Sequence, residues 1–147
     1  MAEPSQTRLT PRLVDSLYVE AMLLADEARS YFDDGGREER RALAPADRVF
    51  FSCESLKLTT RLMHIIAWLL AERTGEPGQE RENRLAEAAP SDEAALARLP
   101  AKARELVAAS MDLHLRVARL GKGAPALQPS PARSLLSQLE NRFGRKS

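Results

Sequence analysis

The residues best equipped for chemistry are two histidines, His64 and His114, and a single cysteine, Cys53. A metal at His64 needs further ligands at helical spacing, but its neighbours Met63, Ile65, Ile66 and Ala67 are poor ligands for hard or borderline ions. A histidine at the edge of a helix interface accounts for it. His64 could instead accept a phosphoryl group, since phosphotransfer domains are helical bundles of similar size. Those domains place a Lys and a small Gly soon after the histidine, whereas Ile65 to Leu70 is bulky and uncharged. Cys53 lies on an apolar helical stripe with no nearby base, and a reactive thiol needs an electropositive, accessible setting. Gly35-Gly36 lacks the preceding strand and following helix of a phosphate-binding loop, and helix termination explains the pair. We therefore expect no catalytic, cofactor or metal residues and a protein that is not an enzyme.

The elements that carry these residues are all helical in pattern. Aromatic and β-branched residues are scarce, and the patterned segments repeat at 3.6 rather than 2. The expected architecture is an all-α three-helix bundle over residues 10–121, with helices at about 11–33, 45–74 and 100–120, followed by a flexible tail at 122–147. Thr10 as N-cap with Pro11 at the first helical position opens the first helix, and Gly35-Gly36 closes it with a positive φ. Leu17, Ala21, Leu24, Ala28 and Tyr31 form its stripe. The third helix follows Leu99-Pro100 and carries Ala103, Leu106, Ser110, Leu113, Val117 and Leu120.

The second helix is apolar on two sides. Val49, Cys53, Leu56, Thr60, Met63, Ala67 and Leu70 form one seam; Phe51, Leu58, Leu62, Ile65 and Leu69 form another. Two residues turn a helix by about 200°, so these seams lie nearly opposite each other. A helix that is apolar all round must be covered all round. The other two helices cover one side, and we assign the seam through Phe51, Leu58, Leu62, Ile65 and Leu69 to a partner surface, most simply a homodimer interface.

Charge narrows the function class. Lys and Arg number 22 against 21 Asp and Glu, which gives no global basic excess for nucleic acid, and the helices are too long for a helix-turn-helix reader. Locally, residues 72–93 hold seven acids and three basic residues, a net of −4, and residues 121–147 hold five basic residues and one acid, a net of +4. Residues 75–97 are too long for a simple bundle turn and read as a mobile connector. With one cysteine and no apolar leader or membrane span, we expect a cytoplasmic protein. In the tail, Leu135, Leu136, Leu139 and Phe143 form one apolar helical face over 134–143 after a Pro-rich linker. That face suits either a partner's groove, with Arg133, Arg142, Arg145 and Lys146 drawn to an acidic surface, or packing back on the bundle.

Three stretches carry a family resemblance. The first helix reads Leu17-Tyr18-x-Glu20-x-Met22-x-Leu24, then Glu27-Ala28 and Tyr31-x-Asp33. The second reads Glu54-Ser55-x-x-Leu58-Thr59-Thr60-Arg61-Leu62-Met63, then Trp68-Leu69-Leu70. The third has Leu99-Pro100, Arg104-Glu105-Leu106, Ser110 and Arg116-Val117 before Leu120. Over residues 13 to 120 the sequence resembles the RcdA family of alphaproteobacterial regulators of CtrA degradation. The resemblance implies a dimeric three-helix bundle with a functionally needed tail, acting as a non-catalytic adaptor for regulated proteolysis in the cell cycle. Its implied partners are the ClpXP protease, a CpdR-like response regulator, a PopA-like cyclic-di-GMP effector and cargo proteins.

Overall fold

A computed structural model describes residues 4–75, 85 and 88–121, with side chains from Pro11 onward. Every regular element among them is helical. The chain divides into two compact units, residues 1–117 and 118–147. Of the second, only 118–121, the last residues of the final helix, are described.

Helix α1 spans Pro4–Ser30 and passes without a break into one π-helical turn, Tyr31–Gly35. Pro11 therefore lies inside α1 instead of opening it. A proline early in a helix gives the same start signal wherever it falls, and Pro4 supplies it seven residues sooner. Gly35-Gly36 does not close the helix with a positive φ either. Gly36 adopts φ −93° and ψ 4°, and its N–H donates to the Tyr31 carbonyl at 2.6 Å. The chain then makes a short second helix, α2, at Arg37–Arg41.

Helix α3, Pro45–Thr74, starts with proline in its first turn and stops at Gly75, which takes the left-handed φ of 75° that glycine adopts without strain. It runs antiparallel to α1: Asp15 pairs with Arg73 at one end, and Arg29 and Phe32 lie beside Ser55 and Thr59 towards the other. After the short helix α4, Glu93–Leu96, the last helix, α5, occupies Ala101–Gly121. Arg116 reaches Glu20 and Lys102 reaches Glu27, so α5 is antiparallel to α1 and parallel to α3. Parallel neighbours cannot be joined by a tight turn. The chain must travel back along α3, a helix about 45 Å long, which is why the connector is long.

The core sits where the three long helices meet. Val14, Leu17, Ala21 and Ala28 come from α1, and Ala103, Leu106, Val107, Leu113 and Val117 from α5. From α3 come Phe51, Leu58, Leu62, Ile65, Trp68 and Leu69. Each fully buried Val, Leu, Ile or Phe side chain among these contributes roughly 1.5–3 kcal/mol. Tyr31, Phe32 and Phe51 close one end as an aromatic cluster, with ring centroids 5.1 to 6.1 Å apart.

Candidate partner-binding surfaces

The structure reverses the two seams of α3. Phe51, Leu58, Leu62, Ile65 and Leu69, assigned from the sequence to a dimer or partner surface, are all at most 2% exposed in the single chain. They are the core. The opposite seam faces outward instead: Val49 is 63% exposed, Leu56 69%, Met63 63% and Leu70 42%, and Cys53 is also exposed. Periodicity could show that two seams exist but not which one α1 and α5 would cover, because both repeat with the same spacing. From Val49 to Leu70 the outward seam runs about 32 Å along the helix. Beside Met63 it borders a groove of about 340 Å³ between α1 and α3, lined by Ala25, Arg29, Phe32, Thr59 and Ile66 among others.

A cluster of charges inside α3 was not anticipated. Glu54 is fully buried and Arg61 is 3% exposed. Both grip the returning connector. Ser91 Oγ donates to Glu54 Oε1 at 2.6 Å, and Lys57 Nζ lies 3.2 Å from Glu54 Oε2. Lys57 also donates to the Pro90 carbonyl at 2.9 Å. Arg61 donates from Nη1 to Ser110 Oγ on α5 at 2.8 Å and from Nη2 to the Ala89 carbonyl at 3.3 Å. Burial pulls the Arg61 pKa down and the Glu54 carboxylate opposes that shift, leaving a guanidinium that stays charged. Asp92 then caps α4 by accepting from the N–H groups of Ala94 and Ala95, and Arg98 pairs with Asp47 at 3.0 Å.

The end of the connector, residues 88–99, is therefore fastened along α3, against the expectation of a mobile segment. Its fastenings join residues 28 to 51 apart in sequence, so no local pattern announces them. One sign was available. Glu54, Arg61 and Trp68 recur at seven-residue intervals on the core side of an otherwise apolar helix, and a charge in such a register needs a partner. Glu54, Arg61, Ser110, Glu20 and Arg116, all among the residues that carry the family resemblance, are the ones that clasp the elements together.

His64 is half-buried beside Lys57, Thr60, Arg61, Ala89 and His114 around a cavity of about 250 Å³. The connector lies against it, a poor setting for a phosphoryl group delivered by another protein. Among the described residues no group of three or more His, Cys, Asp or Glu side chains could hold a metal. No described helix is long and apolar enough to cross a membrane. Leu135, Leu136, Leu139 and Phe143 lie outside the described residues.

What these elements make is an all-helical bundle with a clasped connector and an outward apolar seam on α3. The chain belongs to the family described as "Protein of unknown function (DUF1465)", whose family model matches residues 5–143. It is also similar to a solved structure, that of RcdA from Caulobacter crescentus CB15. The two are 35% identical with a TM-score of 0.55, over 74% of this chain and 87% of that one. The fold is RcdA-like. No curated protein matches the chain.

Proposed function

We propose that this chain is a non-catalytic, cytoplasmic adaptor that tethers cell-cycle regulatory substrates to the ClpXP protease. Its partners in that role are a CpdR-like response regulator and a PopA-like cyclic-di-GMP effector. The observation that carries the reading is the 35% identity to RcdA across 87% of that protein. The outward apolar seam of α3 supports it, because contiguous exposed apolar surface marks interaction sites. An adaptor works by raising effective concentration: with one surface on the protease machinery and another on cargo, the second encounter becomes intramolecular, and weak contacts suffice.

A homodimer belongs to the same proposal. With Phe51, Leu58, Leu62, Ile65 and Leu69 used inside the chain, its face is the outward seam of Val49, Leu56, Met63 and Leu70. The tail segment 134–143 is proposed as the second docking element, through Leu135, Leu136, Leu139 and Phe143.

The test is reconstituted turnover of cargo by ClpXP with the response regulator present. Adding the chain should speed cargo loss, and deleting 134–143 should abolish that gain while leaving the helical circular dichroism unchanged. Turnover that ignores the chain altogether removes the adaptor reading. Turnover that ignores only the deletion removes the role of the tail.

A further inference from the structure

The turn between α1 and α3 forms a second surface, which adjoins the outward seam and shares Leu56 with it. Arg37, Arg40 and Arg41, at i, i+3 and i+4, share one face of α2 and line an open cavity of about 780 Å³. Phe32, Phe51 and Leu56 supply its apolar lining, Ser52 and Ser55 its hydroxyls, and Asp33 is the one carboxylate among the lining residues.

The arginines are held in a particular way. Arg37 Nε donates to the Asp33 backbone carbonyl at 2.7 Å, and Arg40 Nε donates to Ser52 Oγ at 3.3 Å. Arg41 pairs with Glu38 at 3.0 Å with both side chains in solvent, a contact that water largely screens. Among the described residues, Arg37 and Arg40 are thus oriented by neutral oxygens and form no ion pair within the chain. Each keeps its full charge and the outer part of its donor fork, which matches a carboxylate bidentately.

The combination selects the occupant. A small inorganic anion would use the arginines and leave Phe32 and Leu56 unused; a purely apolar segment would leave the guanidinium charge unanswered. We propose that this cavity docks an acidic segment of a partner protein, its carboxylates on Arg37 and Arg40 and an adjacent apolar side chain against Phe32 and Leu56. The site requires a binding protein but not any particular protease.

The test measures fluorescence anisotropy of short labelled peptides with the full chain. Three sets share the same Leu and Phe residues and differ only in carrying Glu and Asp, Lys and Arg, or Ser between them; a single-stranded oligonucleotide is the fourth probe. The acidic set should bind at least about tenfold tighter than the other two peptide sets and weaken with salt. The double variant Arg37→Glu with Arg40→Glu should lose that preference, as should the milder Arg37→Ala with Arg40→Ala if the first is poorly folded. Equal binding of the three sets, no binding of any, or a preference that survives both variants overturns the proposal, and tighter binding of the oligonucleotide replaces it with a nucleic-acid surface. Failure here alongside intact cargo turnover removes this docking site and leaves the adaptor reading standing; the reverse result removes only the adaptor reading.

Discussion

Gly36 is kept small by the ring above it and not by its own backbone angles. A Cβ built there would lie 2.9 Å from Tyr31 Cζ and 2.9 Å from the Tyr31 carbonyl oxygen. Both neighbours are packed, so Gly36→Ala should cost about 1–3 kcal/mol in urea unfolding; an unchanged midpoint would mean that the ring can move aside. Tyr31 in turn donates its hydroxyl to Glu39 Oε2 at 3.0 Å, and Tyr31→Phe should cost about 1 kcal/mol. The same contact makes a pH prediction. Burial first, then the bond and charge of Glu39, raise the Tyr31 pKa above its ordinary value of 10. Below that value the phenol is neutral in both states and its contribution is complete. As pH rises past it, the unfolded chain ionises while the folded one does not, so the contribution falls. The stability gap between wild type and Tyr31→Phe should therefore shrink between about pH 9 and about pH 11. A constant gap would show that Tyr31 titrates alike in both states. The sequence marked Tyr31 as a core residue of the first helix, but its link to Glu39 depends on the π-helical turn, which no spacing rule exposes.

Among the elements, α3 and the returning connector are held together mainly by polar groups, and here the sequence told least. The main stripes of α1 and α5 were readable from their spacing: Leu17, Ala21 and Ala28, and Ala103, Leu106, Leu113 and Val117, are buried as it required, although Val19, Met22 and Leu23 of α1 and Leu115 of α5 are exposed. For α3 the spacing was ambiguous by two residues, and the connector's anchors were invisible because hydrogen bonds between distant residues leave no periodic trace. Glu54 is the centre of that attachment. Glu54→Ala should cost about 1–3 kcal/mol, because it removes the acceptor of the Ser91 hydroxyl and the partner of Lys57, along with the charge that favours the buried Arg61 guanidinium. Amide hydrogen exchange in α4 should accelerate in the same variant, since Ser91 adjoins the Asp92 cap. If α4 exchanges as before, the connector is held chiefly by Arg98 and Asp47.

For the molecule as a whole, the two seams of α3 make opposite predictions from adjacent residues. Leu62→Asp places a charge in the core and should unfold the protein, with a loss above about 4 kcal/mol. Met63→Asp, one position on, should leave thermal stability nearly unchanged and shift the species in sedimentation from dimer to monomer. A folded Met63→Asp variant of unchanged mass, or a wild type that sediments as a monomer, would count against the proposed dimer on this seam. The three-helix architecture was readable in outline from its stripes and breakers, whereas the choice of outward face needed the helices in place.

The parallel course of α3 and α5 also predicts an order of folding. The antiparallel pair α1 and α3, joined through the π-helical turn and α2, is expected to close early, whereas α5, whose contacts with α3 and α1 join residues 49 and 96 apart in sequence, is expected to dock late. During synthesis α3 is complete before α5 exists. A nascent chain that ends before Ala101 then has one helix available to cover a doubly apolar α3, and its exposed core seam is open to other chains. Arrival of α5 is the step that buries the core seam of α3 and leaves its outward seam in solvent.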